Sequence, residues 1–301
     1  KKFMDINRYS PSYILDKKHL IGLSDYSTEE IFELLYATKA LKRKFEAHEE
    51  TNILRGTTVA LLFADTSLRT RSAIEIGTHQ LGGSCVDLPY SDKDMHAGEN
   101  VKDIVNVISR YGVSALVTRG INKKLLKEFT AISSMPIINS HNDDCVPIQA
   151  LSDLFTIWEK KGELAGVKLA VVGRATSMTS SFVIGAVKCG MDVSLACPAR
   201  YGLKRENMEA AEQLGKIYTT DNPIEAVRDA DVVYTNAYRY HTVISDEEKE
   251  IFAPYRVDAG LMSYAKHNSV FMHPLPATRG QEVTADVIDG KHSIVYDQGE
   301  N

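Results

Sequence analysis

The feature that most constrains this chain is an alternation that occurs twice. Short apolar, β-branched runs are separated by stretches with helical periodicity. The run TVALLF at 58–63 is apolar at every position bar the first, as a strand buried on both faces of a parallel sheet must be. RTRSAIEIGTHQLGG follows with helical spacing and closes on Gly82 and Gly83, residues suited to ending a helix. SALVTR and MPIINS read as further strands, and the alternation runs through about Ser140. Next comes a long helix, PIQALSDLFTIWEKKGELAG, in which Leu151, Leu154, Phe155 and Trp158 recur at helical spacing. A second block then offers VKLAVVG, DVSLAC, KIYTT, DVVYTN and SVFMH as strands. Strand–helix alternation implies a parallel sheet, and 301 residues suit two domains. The prediction is an α/β fold of two similar parallel-sheet domains, 1–145 and 146–301, with the boundary within 135–165 and the long helix crossing between them.

Charge and composition narrow the function. A formal net charge of −5 argues against a nucleic-acid binder that works by bulk attraction, yet permits a local basic pocket for a small anion. No apolar run reaches membrane-spanning length. The opening KKFMDINRYS has no apolar signal core and begins with Lys, so the expectation is a cytoplasmic protein whose sequence here begins inside a longer chain. Cys85, Cys145, Cys189 and Cys197 form no CxxC pair and are expected to be reduced thiols.

Functional loops of open α/β sheets lie at the carboxyl ends of strands, and four segments fall there. In the first, Ser67, Leu68, Arg69, Thr70 and Arg71 stand where a strand turns into a helix. Unpaired N–H groups, hydroxyls and guanidinium groups at a helix start make an anion site. The alternative is that the arginines pair with nearby acids such as Glu75. The second is Arg119, at the end of SALVTR; alone, it also fits a solvated strand-end charge. The third is HNDDCVPIQALSD, with Pro147 just inside a helix start and Gln149 in its first turn. The fourth is FMHPLPATRGQEVT, where His273 precedes a Pro-Leu-Pro turn and Arg279 and Glu282 follow. His273 also fits a satisfied structural histidine. There is no Gly-rich phosphate loop and no cluster with metal-ligand spacing, so hydride transfer and kinase chemistry lack their main support.

In order and spacing these segments resemble the aspartate/ornithine carbamoyltransferase family, from about His19 to Asn301. Ser67-Leu68-Arg69-Thr70-Arg71 stands at the family's Ser-Thr-Arg-Thr-Arg, and Arg119 at its strand-end Arg. Val146-Pro147-Ile148-Gln149 with Asp153 stands at His-Pro-x-Gln…Asp, and His273-Pro274-Leu275-Pro276 at His-Pro/Cys-Leu-Pro. LGG, ISRY, FAPYRV and the tail from Ala277 resemble the ornithine and putrescine branch. The resemblance implies transfer of a carbamoyl group from carbamoyl phosphate to an amine, without metal or organic cofactor, by a homotrimer or a multiple of it. It also implies roles. Phosphate goes to Ser67–Thr70, with Arg69 neutralising its charge. Thr70, Arg119, Arg279 and the third-motif His serve the carbamoyl oxygen. Gln149 and the carbonyls of Pro274 and Leu275 hold the carbamoyl NH2 group.

Several positions depart from that pattern. Leu68 replaces a hydroxyl, and Val146 replaces the third-motif His and cannot donate a hydrogen bond. Asp94 stands where the ornithine branch has Gln, an acid facing phosphate unless Lys93 or His96 offsets it. On the acceptor side Asn236 stands at an Asp, Tyr240-His241-Thr242 at a Ser-Met-Gly loop, Pro274 at a Cys, and Thr176-Ser177 near an Asn pair. These departures predict an acceptor that is neither ornithine nor aspartate. Two other readings stay open: a non-catalytic paralogue that keeps the fold and an anion site, and an enzyme with another phosphorylated or carboxylated donor.

Overall fold

The computed structural model describes residues 3–90, 98–239 and 242–301. Asp94, Lys93, His96, Tyr240 and His241 lie outside them. The chain divides into two compact units. One comprises Pro11–Tyr26 and Glu30–Ile148; the other comprises Lys1–Ser10, Ser27–Glu29 and Gln149–Asn301.

The first unit has a four-stranded parallel sheet of β1 (Thr58–Phe63), β2 (Ser84–Asp87), β3 (Ala115–Arg119) and β4 (Ile137–His141), in the order β2-β1-β3-β4. Its helices are α1 (Thr28–Glu46), α2 (Leu68–Gln80), α3 (Val101–Arg110) and α4 (Lys123–Ile132). Alternation along β1 sends its apolar side chains both ways. Ala60 and Leu62 join Leu116, Ile137 and the helix residues Val105, Leu126 and Phe129 on one face. Val59, Leu61, Phe63 and Val117 pack with Ile74 of α2 on the other. Each fully buried large apolar side chain stabilises by about 1.5–3 kcal/mol, so both helix layers are held by the same strands. Strand β2 has no counterpart among the sequence expectations. Its four residues are mostly exposed, so no apolar pattern marks it; main-chain pairing to β1 at the sheet edge defines it.

The crossing helix α5 (Pro147–Lys161) begins at Pro147, which has no N–H to lose in a first turn. It carries the chain from the first unit into the second. The second sheet contains β5 (Lys168–Val172), β6 (Asp192–Ala196), β7 (Ile217–Thr220), β8 (Val232–Tyr234) and β9 (Val270–Met272), all parallel, in the order β7-β6-β5-β8-β9. The helices here are α6 (Ser177–Lys188), α7 (Arg205–Leu214), α8 (Pro223–Val227), α9 (Asp246–Phe252), α10 (Ala259–Met262), α11 (Ala285–Ile288) and α12 (Val295–Glu300). Helix α6 is buried from Thr179 to Val187, and its Phe182 ring lies 4.9 Å from that of Tyr234. The opposite face packs Ala170, Val172, Val233 and Phe271 under residues of α8, α10, α11 and α12.

Strand order reverses direction between β1 and β3 in one sheet and between β5 and β8 in the other. At such switch points neighbouring loops diverge to opposite faces and leave a crevice at the strand carboxyl ends. The loops after β1, β3, β5 and β8 are therefore the places to look for chemistry.

Candidate active site

In the first unit, the loop after β1 enters α2 at Leu68, with Ser67 as the N-cap residue. The Ser67 side chain makes no capping bond, so it leaves the first-turn N–H groups of α2 uncapped. Arg69 is exposed and has no ion-pair partner among the described residues. Arg71 is occupied. It pairs with Asp87 at 2.6 Å and lies over the Phe63 ring at 5.1 Å, so Asp87 rather than Glu75 is the acid it finds. Leu68, the first residue of α2, is an apolar side chain that is 81% exposed.

Arg119 ends β3, and its Nε donates to Asp65 Oδ1 at 2.6 Å. A half-exposed pair of this kind contributes little stability, at most about 1 kcal/mol. Its effect is to orient the guanidinium through Nε rather than through its terminal NH2 groups. Gly120 follows at φ +73°, with an added Cβ only 3.1 Å from Ala64 Cβ, so the turn behind Arg119 requires glycine. Val146 is buried, 3% exposed. Sequence reasoning missed His141, which ends β4 opposite Arg119 in the register. Its position at a strand carboxyl end was the available signal.

In the second unit a chain of hydrogen bonds links residues far apart in sequence. Gln149 Nε2 donates to Asp153 Oδ1 at 2.8 Å, and Gln298 Nε2 donates to the same oxygen at 2.8 Å. Gln298 Oε1 accepts the His273 main-chain N–H at 2.9 Å. The His273 ring is fully buried. Its Nδ1 accepts the Leu275 N–H at 2.8 Å, which leaves Nε2–H to donate to Glu282 Oε1 at 2.8 Å. Glu282 Oε1 also accepts the Thr278 N–H. His273 is thus a neutral strut that holds the Pro274-Leu275-Pro276 turn, and its ring nitrogens are spent on that task. Pro274 is buried, and Leu275 sits at φ +59°. With its NH2 group bonded to Asp153, Gln149 keeps its carbonyl oxygen as its remaining side-chain acceptor. Burial pushes the Asp153 carboxyl up to about 7, although hydrogen bonds from Gln149 and Gln298 pull the other way.

After β8, Asn236 is 1% exposed and donates through Nδ2 to Thr176 Oγ1 at 3.1 Å and Thr179 Oγ1 at 3.2 Å, both at the start of α6. Its Oδ1 has no partner among the described residues. Arg239, three residues after Asn236, and the distant Arg174 converge on Glu248 and hold its carboxyl down to about 2, mainly through the Arg239 hydrogen bonds. Arg279 forms a two-bond pair with Asp289, at 2.8 and 2.6 Å, and among the described residues no side-chain hydrogen bond joins it to the His273 turn. The first unit therefore brings together Ser67, Leu68, Arg69, Thr70 and Arg119 at one edge. The second joins Gln149 to His273, Pro274 and Leu275, and keeps Asn236 and Arg279 on separate hydrogen-bond partners.

Two parallel-sheet α/β units of this kind are the architecture that carbamoyltransferase structures share. The chain belongs to the aspartate/ornithine carbamoyltransferase family: residues 18–159 match its carbamoyl-P binding domain and residues 165–301 its Asp/Orn binding domain. It is similar to the ornithine carbamoyltransferase of Bacillus subtilis (strain 168), 41% identical over 291 residues that cover 94% of this chain and 90% of that protein. The ornithine carbamoyltransferase of Pyrococcus abyssi is 38% identical over 294 residues, covering 95% and 92%. Among solved structures, ornithine carbamoyltransferase from Pyrococcus furiosus superposes with a TM-score of 0.89 at 37% identity, covering 94% and 92%. The protein is an enzyme of the carbamoyltransferase class. These relatives correct the expectation that ornithine is excluded as the acceptor. That expectation weighed single positions such as Asn236 against an ideal motif. A side chain held by its neighbours can serve a site with a different polar group, so one position is a poor guide to the acceptor. The reading of a non-catalytic paralogue is likewise set aside.

Proposed function

We propose that this protein transfers the carbamoyl group of carbamoyl phosphate to the side-chain amine of ornithine. The observation that carries the reading is full-length similarity, at 41% identity, to a protein named ornithine carbamoyltransferase. In the first unit, phosphate is taken by Ser67, the α2 N-terminal N–H groups, Thr70 and Arg69, with Leu68 lining the turn. Arg119 stabilises the negative charge that grows on the carbamoyl oxygen as the amine attacks. Asp65 supports this role by engaging Nε and leaving the NH2 groups.

In the second unit, the Gln149 carbonyl and the main-chain carbonyls of Pro274 and Leu275 accept from the carbamoyl NH2. The His273–Glu282 and Asp153–Gln298 bonds keep those acceptors in place, and most of the rate comes from such prepositioning. Asn236 faces the acceptor, and Arg279 joins the carbamoyl oxygen by exchanging Asp289 for substrate. We place the enzyme in the cytoplasm as a homotrimer or a multiple of one. The test is ureido-product formation from carbamoyl phosphate with ornithine, putrescine and aspartate in parallel. Turnover with ornithine above the other two is expected; turnover with aspartate or putrescine alone would overturn the acceptor.

A further inference from the structure

His141 is not accounted for by the fold. Strands β3 and β4 run in simple register from Leu116↔Ile137 through Thr118↔Asn139, and the next pair is Arg119↔His141. Ser140 is skipped. Its hydroxyl turns back to the Thr118 carbonyl at 2.8 Å. Strict alternation would put His141 on the face of Ile137 and Asn139, under the helices of the larger core. The bulge resets the count, so His141 stands beside Arg119. Arg119 itself follows Val117 by two residues and pairs with Phe63, which places it on the face that packs against α2. Arg71 over the Phe63 ring marks the same side. Arg119, His141 and the start of α2 thus share one face at the carboxyl edge of one sheet.

The imidazole is only partly buried, and among the described residues no hydrogen bond engages either ring nitrogen. Its main chain, by contrast, is fixed: the His141 carbonyl accepts the Gly120 N–H at 2.8 Å. Burial first, and then the Arg119 charge, lower its pKa, with Asp65 and Asp143 opposing, so the ring is neutral near pH 7 and keeps one N–H donor. The Val146 side chain, buried and apolar, carries no hydrogen-bond donor.

We propose that His141 donates a hydrogen bond to the carbamoyl oxygen of carbamoyl phosphate alongside Arg119, as a catalytic residue of this enzyme. This assignment rests on the carbamoyl-transfer reading above. In the step it serves, the ornithine ammonium first releases a proton to solvent. The amine lone pair then bonds to the carbonyl carbon while the carbonyl π pair moves onto oxygen, where His141 and Arg119 donate. That pair returns as the C–O bond breaks, phosphate leaves with the bonding pair, and the second amine proton passes to phosphate.

The test compares wild type with His141→Leu, which keeps bulk but not the donor, and His141→Gln, which keeps a side-chain N–H. Leucine is expected to lower kcat by about 10²-fold, as loss of one oxyanion donor does, and glutamine to recover about tenfold of it. Inorganic phosphate affinity by calorimetry and the melting temperature should not change. A leucine variant that turns over like wild type, or a glutamine variant no better than leucine, overturns the assignment. If His141→Leu melts lower, His141→Met takes its place under the same criteria. If wild type is inactive with every amine, the functional reading fails by itself. The role of His141 is then decided by calorimetry with carbamoyl phosphate: weaker binding in the leucine variant at unchanged phosphate affinity supports it, and equal binding overturns it.

Discussion

At the scale of single residues, the two charged groups that matter most are held in opposite ways. Arg69 is exposed and has no ion-pair partner among the described residues, so its charge is available to a dianion. Arg69→Ala is expected to abolish the protection that phosphate gives against heat, because the helix N–H groups alone hold phosphate weakly. Equal protection with and without Arg69 would show that phosphate goes elsewhere. Asp153 is buried with two amide donors on one oxygen and no partner on the other. Its pKa is raised to about 7, above that of an unfolded aspartate near 3.9. The folded state therefore holds this proton more tightly than the unfolded chain. Its contribution to stability is full below about pH 4 and is lost as pH rises to about 7. Asp153→Asn removes that loss, so the variant should gain on wild type in urea unfolding between pH 5 and pH 8. Parallel pH profiles for the two proteins would refute the raised value.

At the scale of an element, the turn after β9 is built by side chains rather than by its own main chain. His273 Nδ1 takes the Leu275 N–H, and Glu282 takes both His273 Nε2–H and the Thr278 N–H. Glu282 and His273 are both fully buried. Glu282→Ala leaves two donors without partners, each costing about 1–3 kcal/mol. The expected result is a clear loss in urea midpoint, with a higher KM for carbamoyl phosphate because the Pro274 and Leu275 carbonyls lose their support. Glu282→Gln keeps the Oε1 acceptor and should lose less. An alanine variant with unchanged midpoint and KM would mean that the prolines alone hold the turn.

At the scale of the whole molecule, the first unit exposes large apolar side chains that its own core does not need. Leu68 and Ile76 of α2, Val107 of α3 and Tyr111 after it are 45–81% exposed. Isolated exposed apolar residues are ordinary, but three on two helices of one unit and a fourth just after them fit a surface that a second copy covers. Light scattering at micromolar concentration is expected to give three times the chain mass or a multiple of it. A monomer would remove the trimer, and a dimer would require a different contact.

The amino-acid sequence by itself determined the class of fold, because apolar runs such as 58–63 leave a strand no solvent-facing side and require helices on both faces. It also placed Arg119 and His273 at the carboxyl ends of such runs and Pro147 at a helix start, where the structure has them. Other features escaped it because they depend on pairings between distant residues. β2 is defined by main-chain bonds to β1, and its own side chains carry no pattern. The bulge that aims His141 at Arg119 is a property of two strands in register. The Asp153–Gln298 bond joins residues 145 apart. Local periodicity reports which face is buried. Which partner waits on that face is decided only when the chain closes on itself.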